Sequence, residues 1–326
     1  MTSSMPVARV LDKEDIIFFV VDSLFEATAM RSQGILSPIL VIGYTSPHNI
    51  QYCHLRDVSF TITDLKQLEE ISTSLTWKKQ FHLKVDTGMH RQGILPNQLE
   101  EALTIFKNSP RIDLVGLCSH LADADNEDDT FTKKQLDVWN KLVPMASAKF
   151  PSIKYYHIAA TAGLAHHQSI QGNVVRLGIG LYGITVARSS ARMRLKPVLQ
   201  LQSIISSLKT IAKDEYIGYA VTYRMKKKTL AATVPLGYAE GIARGLGDKG
   251  VFTVRGVVCP ILGRVSMNIT SIDVSAVSNI NVGDTVVAIS SHEEDRNSVA
   301  HIATDINTIP YEVLVHIPSH LRRTVV

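Results

Sequence analysis

Phe81-His-Leu-Lys-Val-Asp-Thr-Gly-Met-His-Arg-Gln-Gly-Ile94 starts as an apolar strand and takes a lysine and an aspartate into its middle. A lysine inside a parallel strand covered on both faces must be paired, neutralised or modified, because burying a bare ammonium is costly. The turn that follows carries glycines and presents Arg91. On either side of this stretch, up to about residue 188, short apolar runs alternate with helical patterns. The runs are Ile16–Val21, Ile39–Gly43, Ser59–Thr63, Phe81–Asp86, Leu114–Ser119, Lys154–Ile158 and Val174–Leu177. Helical patterns fall at Ser23–Gln33, Asp64–Ser72, Leu99–Asn108 and Thr130–Ala148. Near-continuous apolar runs of this kind are expected of parallel strands buried on both sides. Repeated βα units without a doubly wound glycine fingerprint predict a TIM-like (β/α) barrel, whose C-terminal face collects binding groups. The runs number seven and a closed barrel needs eight, so either one strand is unread or the chain starts one βα unit late. An open barrel leaves two parallel edges unpaired.

From about residue 189 the pattern changes. Leu199, Leu201 and Ile205 share one face of an alternating run that Ser203 and Ile204 break. Strands are expected at Thr229–Pro235, Val251–Val258, Ile269–Val274 and Thr285–Ser290, with turn residues at short spacing between them. A helix is expected at Ser298–Asp305, before a last apolar run near Tyr311–Ile317. The fold class is therefore α/β plus β, with a barrel domain over residues 1–188 and a mainly antiparallel β domain over 189–326. The short basic stretch Val186–Lys196 joins them.

Composition excludes several functions. The hydrophobic share of 45% and the charged share of 20% are those of an ordinary water-soluble globular chain. A net charge of +4 with mixed signs is too mild for a nucleic-acid partner, and Arg224-Met-Lys-Lys-Lys228 reads as a solvated turn. No apolar run approaches the ~20 residues of a membrane span. The early acidic residues Asp12, Glu14 and Asp15 do not fit a signal peptide. Cys53, Cys118 and Cys259 are scattered and lack metal spacing, which suits a reducing, cytoplasmic setting. Gly245-Leu-Gly-Asp-Lys-Gly250 matches a dinucleotide fingerprint by letter but leads toward a strand, so it is read as a hairpin loop. Asp123-Ala-Asp-Asn-Glu-Asp-Asp129 lacks the glycine and distal glutamate of a calcium loop and reads as a solvated helix cap. No metal is expected.

The informative polar residues stand at strand ends. Beside Lys84 and Arg91 these are His120 in Cys-Ser-His-Leu-Ala-Asp and Arg176 in Val-Val-Arg-Leu-Gly-Ile-Gly-Leu-Tyr-Gly183. Gly178 and Ile179 can offer backbone N–H groups to an anion. Tyr219 lies in the turn of Glu215-Tyr-Ile-Gly-Tyr-Ala-Val-Thr-Tyr223, a position that can hold a phenol at a pocket rim. Any one of these could be core filler or surface. Four polar groups at strand ends together point to a site.

With those stretches assembled, the chain resembles the alanine racemases, pyridoxal-phosphate enzymes with an N-terminal barrel and a C-terminal β domain. The likeness runs from about residue 16 to near the C-terminus. It is carried by His82-Leu-Lys-Val-Asp-Thr-Gly-Met-His-Arg91, Arg176-Leu-Gly-Ile-Gly-Leu-Tyr-Gly183, Gly218-Tyr-Ala-Val-Thr-Tyr223, Gly237-Tyr-Ala-Glu-Gly241 and Gly263-Arg-Val-Ser-Met-Asn268. The resemblance implies a cytoplasmic homodimer that interconverts L- and D-alanine with pyridoxal 5'-phosphate and supplies D-alanine for peptidoglycan. It makes Tyr219 the base on the L face of the substrate, with His120 and Arg176 behind it and Arg176 facing the pyridine nitrogen. An arginine there keeps its proton, so the ring nitrogen stays unprotonated and the cofactor is a weaker electron sink. Arg91 would orient the substrate carboxylate and Met267 would supply a backbone N–H. Lys84 corresponds to a lysine often carbamylated in the family. Thr161, Gly178, Ile179 and Tyr311 correspond to phosphate contacts. Tyr219 and Met267 would reach into the partner's site.

The family's first strand ends in a lysine that binds the cofactor covalently and acts as the second base. Here the strand Ile16–Val21 corresponds to the family's second strand, so that lysine and a nearby phosphate-binding tyrosine have no counterpart. The absent piece is also the eighth strand of the barrel count. Ala160 stands at a position often polar in the family, and Asn268 where aspartate is common. Two readings follow. One is an alanine racemase given without its first βα unit. The other is a non-catalytic, dimerising homologue that binds pyridoxal phosphate weakly or partners a full-length racemase.

Overall fold

In the computed structural model the described residues are 5–185 and 195–326. They belong to two compact units, the first running to Gly178 and the second beginning at Ile179. The expected boundary between residues 188 and 189 lies outside the described residues.

The first unit is a six-stranded parallel sheet in sequential order. Its strands are β1 (Phe19–Val21), β2 (Ile39–Val41), β3 (Val58–Ile62), β4 (Lys79–Lys84), β5 (Ile112–Cys118) and β6 (Tyr155–His157). Helices α1 (Met5–Leu11), α2 (Leu24–Ser32), α3 (Pro47–Gln51), α4 (Leu65–Ser74), α5 (Leu99–Asn108) and α6 (Thr130–Lys149) precede or link them. Ser23 and Asp64 cap α2 and α4 by accepting the amides of Glu26 and Gln67, which satisfies donors the first helical turn leaves open. Phe60, Phe81, Leu68, Ile71 and Trp139 are among the side chains of one continuous core.

The expected seventh strand, Val174–Leu177, is not formed. Its amides touch β6 only singly, from Val174 to the Tyr156 carbonyl (3.3 Å), with Arg176 then bonding the carbonyl of Ala159 (3.1 Å). The reason is Asn173, whose side chain takes up the neighbouring ladder groups. It accepts from the Tyr156 amide at 2.8 Å and donates to the Lys154 carbonyl at 2.7 Å. The sheet is thus a half-barrel, open beyond β1 and β6 among the described residues.

The second unit is antiparallel. Its strands are β7 (Leu201–Ile204), β8 (Ser207–Ile211), β9 (Tyr216–Ile217), β10 (Tyr223–Arg224), β11 (Thr229–Val234), β12 (Val251–Val254), β13 (Val257–Pro260), β14 (Thr270–Asp273) and β15 (Thr285–Ile289). They form sheets β14-β11-β8 and β13-β12-β15-β7 and the ribbon β10-β9. The broken alternation at Ser203-Ile204 has a structural cause. The chain leaves one sheet at Ile205, whose amide bonds Asp284, and joins the other at Ser206, whose amide bonds Thr233. The run Val251–Val258 is two strands, because Arg255 and Gly256 both take positive φ (51° and 77°) and turn the chain back. The Gly245–Gly250 stretch begins within the short turn Arg244–Leu246 and enters β12 with no helix after it; because β11 and β12 belong to different sheets it is a crossover and not the expected hairpin loop. Helix α7 (Val299–Asp305) begins at its Ser298 cap. The last apolar run contains helix α8 (Pro310–Val315).

Candidate active site

Strand parity builds the first unit's polar cluster. Phe81, Leu83 and Val85 enter the core, so His82, Lys84 and Asp86 point to the opposite face of the sheet. After β4 the chain makes a loop closed at its neck by Asp86 N to Ile94 O and Ile94 N to Lys84 O, both 2.9 Å. Within it the Asp86 carboxylate accepts the amides of Gly88 and His90 at 2.9 and 3.0 Å. Gly93 is required there: its φ is +127°, and a Cβ would lie 2.7 Å from the Asp86 nitrogen. Arg91 is presented on this loop, exposed.

Arg176 is the centre of the cluster. Its Nη1 donates to His157 Nδ1 (2.5 Å) and the His157 carbonyl (3.0 Å). Its Nη2 donates to the carbonyls of Ser119 (2.7 Å) and Ile158 (3.0 Å) and to His120 Nδ1 (3.0 Å). None of these five bonds uses Nε. Burial pulls the Arg176 pKa below its ordinary value, yet a guanidinium keeps its proton in proteins. Burial first, and then the Arg176 charge, pushes His82 down to about 3 and His120 down to about 4. His157 is driven well below the usual imidazole range by the same causes. All three imidazoles are therefore neutral at neutral pH.

Lys84 is buried, and among the described residues it is the one buried lysine. Burial lowers its pKa, and the charges of Arg91 and Arg176 lower it further, against the opposing pull of Cys118 and Asp86. A lowered pKa raises the share of neutral amine, the form that reacts with carbon dioxide. Thr161 is buried and its Oγ1 accepts the Gly178 amide at 3.3 Å. A Cβ on Gly178 would meet nothing within 4 Å, so the backbone here borders open space.

Five residues of this cluster were not singled out by the sequence. His82 and His157 lie within strand runs, and a polar residue in each apolar run was their signal. Gln135 sits on the buried stripe of α6, at helical spacing with Thr132, Leu136, Trp139 and Leu142. Its Nε2 donates to Thr87 Oγ1 (3.2 Å) and the His120 carbonyl (3.0 Å), and its Oε1 accepts from Ala122 (2.8 Å). Thr87 and Ser119 complete that bridge through their hydroxyls, 2.9 Å apart.

The second unit carries Ile179, Tyr219, Met267 and Tyr311. Ile179 is buried at the start of the turn Ile179–Tyr182, and Tyr311 is partly exposed on α8. Tyr219 is 72% exposed. It follows Gly218 (φ +81°) and precedes Ala220 and Val221, both at positive φ (62° and 52°). A β-branched residue in that region is strained, and such strain tends to collect at functional loops. Gly218 abuts the Arg264 amide, so the Tyr219 turn lies against the Gly263–Asn268 motif. That motif in turn meets Gly237–Gly241, through Tyr238 N to Ser266 O (3.1 Å) and Ala239 N to Met267 O (2.9 Å). Asn268 donates to Glu240 at 2.8 Å, a bond an ionised aspartate could not make.

Residues 2–186 match the family model for the N-terminal domain of alanine racemase, and residues 198–325 the model for its C-terminal domain. Alanine racemase 1 of Caldanaerobacter subterraneus subsp. tengcongensis is 32% identical over 322 residues, 97% of this chain and 83% of that protein. The alanine racemase of Sorangium cellulosum is 34% identical over 328 residues, covering 97% and 86%. The solved alanine racemase of Clostridium difficile 630 superposes with a TM-score of 0.88 at 30% identity, covering 97% of this chain and 83% of that one. By fold and by these relatives the chain is an amino-acid racemase. It belongs to the alanine racemase family.

Proposed function

We propose that this chain forms the Arg176-centred part of a pyridoxal-phosphate site that interconverts L- and D-alanine. The observation that carries the reading is Arg176 itself, a buried cation held by five bonds, none of which uses Nε. The Gly178 backbone borders open space, and the family resemblance would make Thr161, Gly178, Ile179 and Tyr311 phosphate contacts. Bound there, the cofactor would draw electrons from the α-carbon of an amino acid and make its proton removable. Arg176 would donate Nε–H and keep its own proton, leaving the ring nitrogen unprotonated. Tyr219 would take or return the α-proton on the L face through its phenolic oxygen. Arg91 would pair with the substrate carboxylate, and the Met267 amide would orient it. Lys84, as a carbamate, would turn from a cation beside Arg91 into its anionic partner.

A homodimer with shared sites is supported by the second unit's surface. Tyr216, Tyr219, Val221, Tyr238, Met267 and Ile269 are all exposed, an apolar set a partner would cover. A cytoplasmic location is supported by three free, buried thiols. No described helix is long and apolar enough to cross a membrane.

The lysines favour a second reading for the 326-residue chain on its own. Apart from Lys84 and half-buried Lys79, the described lysines are exposed, and Lys84 is the one whose strand carries it onto the polar face shared with His82. On that reading the chain binds pyridoxal phosphate without a covalent bond and turns over alanine at trace level only. One experiment separates the two. The chain is incubated with pyridoxal phosphate, reduced with borohydride and mapped for labelled lysine, with alanine racemisation followed in parallel. One stoichiometrically labelled lysine with robust racemisation, lost in Tyr219→Phe, supports the full racemase. Saturable binding without a label or turnover supports the second reading.

A further inference from the structure

Behind Arg176, His157 Nε2 lies 2.8 Å from His82 Nδ1. The polarity of this pair is determined by Arg176. A guanidinium only donates, so the His157 Nδ1 it faces must be an unprotonated acceptor. A neutral His157 therefore carries its proton on Nε2 and donates it to His82 Nδ1, which places the His82 proton on its own Nε2. The opposite polarity would set an Arg176 N–H against an imidazole N–H.

The neighbours of His82 fix the position of its ring. The β4–β5 register shifts between Phe81 and His82, which brings Gly116 opposite His82. A Cβ on Gly116 would lie 2.1 Å from His82 Nδ1, so only glycine leaves room for the ring. Tyr155 stacks on His82 at 5.7 Å and 5°, and Phe18 meets it edge-on at 5.5 Å and 83°. Without His82 the His157 N–H would be buried with no acceptor, and the ring would gain by turning away from Arg176.

We propose that His82 is a positioning residue for Arg176. By accepting the Nε2–H of His157 it keeps that imidazole's bare Nδ1 on the guanidinium, and so fixes the arrangement that leaves Arg176 Nε for a ligand. The proposal rests on the reading of Arg176 as the cofactor's partner, but its test does not involve the cofactor. The full chain, free of ligand and labelled with 15N in histidine and arginine, is examined by NMR. The expected result is the Nε2–H pattern for His82 and His157, with separate Arg176 Nη1 and Nη2 signals because the guanidinium cannot rotate. In His82→Leu the His157 pattern should be lost and the two Nη signals should merge. His82→Gln, which restores an acceptor, should keep both. Should His82→Leu fail to fold, Gly116→Ala tests the same bond with every histidine retained and should reproduce the loss. Unchanged His157 and Arg176 signals in His82→Leu or Gly116→Ala overturn the proposal. So does equal damage in His82→Gln, which would mean that the ring only fills space. Loss of pyridoxal-phosphate binding is a separate measurement. Its failure with intact NMR signatures would count against the cofactor reading and not against His82.

Discussion

Acid should unfold the first unit through its histidines before its carboxylates. His82, His120 and His157 are neutral when folded, with pKa values pushed down to about 3, to about 4 and well below normal. Unfolded, each would titrate near 6.5. Below that pH the unfolded chain binds protons that the folded chain refuses. Stability from these groups is thus complete above about pH 6.5 and is lost as pH falls toward the folded values. Between pH 7 and pH 5 His82 and His120 should each cost about 2 kcal/mol, and His157 adds to the loss in the same direction. That is a large part of the ~5–15 kcal/mol of a typical domain. The tryptophans number two, Trp77 and Trp139, and both lie in the first unit, so intrinsic fluorescence reports on it alone. Urea titrations at pH 7, 6.5, 6, 5.5 and 5 should give a steepening loss of stability. His82→Gln should remove about 2 kcal/mol of it. A stability that stays level from pH 7 to pH 5 would mean that the histidines accept protons in place, and the neutral chain argued from Arg176 would be wrong.

Arg176→Lys offers three donors where four N–H groups now serve five acceptors, so at least one buried acceptor loses its donor at about 1–3 kcal/mol. Chemical denaturation should show a destabilised first unit, and a stability equal to that of the parent would refute the network. Carbamylation of Lys84 joins its neutral amine to carbon dioxide with release of a proton, so 13C-bicarbonate should yield one carbamate signal in NMR that is absent from Lys84→Met. Val221→Gly should stabilise the second unit by roughly 1 kcal/mol by relieving the positive φ, read by circular dichroism on heating. A lowered midpoint would show that the valine side chain contributes more than the strain costs.

Much of the architecture follows from local pattern. The strand β2 is wholly buried and reads as an unbroken apolar run, and α5 spans the predicted Leu99–Asn108. These features are legible because hydrophobic period and helix caps act over a few residues. The failures are of another kind. Val174–Leu177 has the composition of a strand, but the side chain of Asn173 occupies the ladder it would have joined. The sequence assigns no element to the final run near Tyr311, since apolarity alone does not choose between strand and helix, and the run holds a short helix that starts at Pro310. The strand-end residues Lys84, His120 and Arg176 stood out in the sequence because charge in an apolar run demands a reason. Which partners supplied that reason depended on contacts between residues far apart in the chain. His82 and His157 are separated by 75 positions, and Ser119 and Arg176 by 57. Sequence alone determined the α/β-then-β order and the family's motifs, since each is written in consecutive residues. Only the tertiary structure decided the state of the imidazoles, because a proton's place depends on which donor faces which ring, and here one buried guanidinium imposes it.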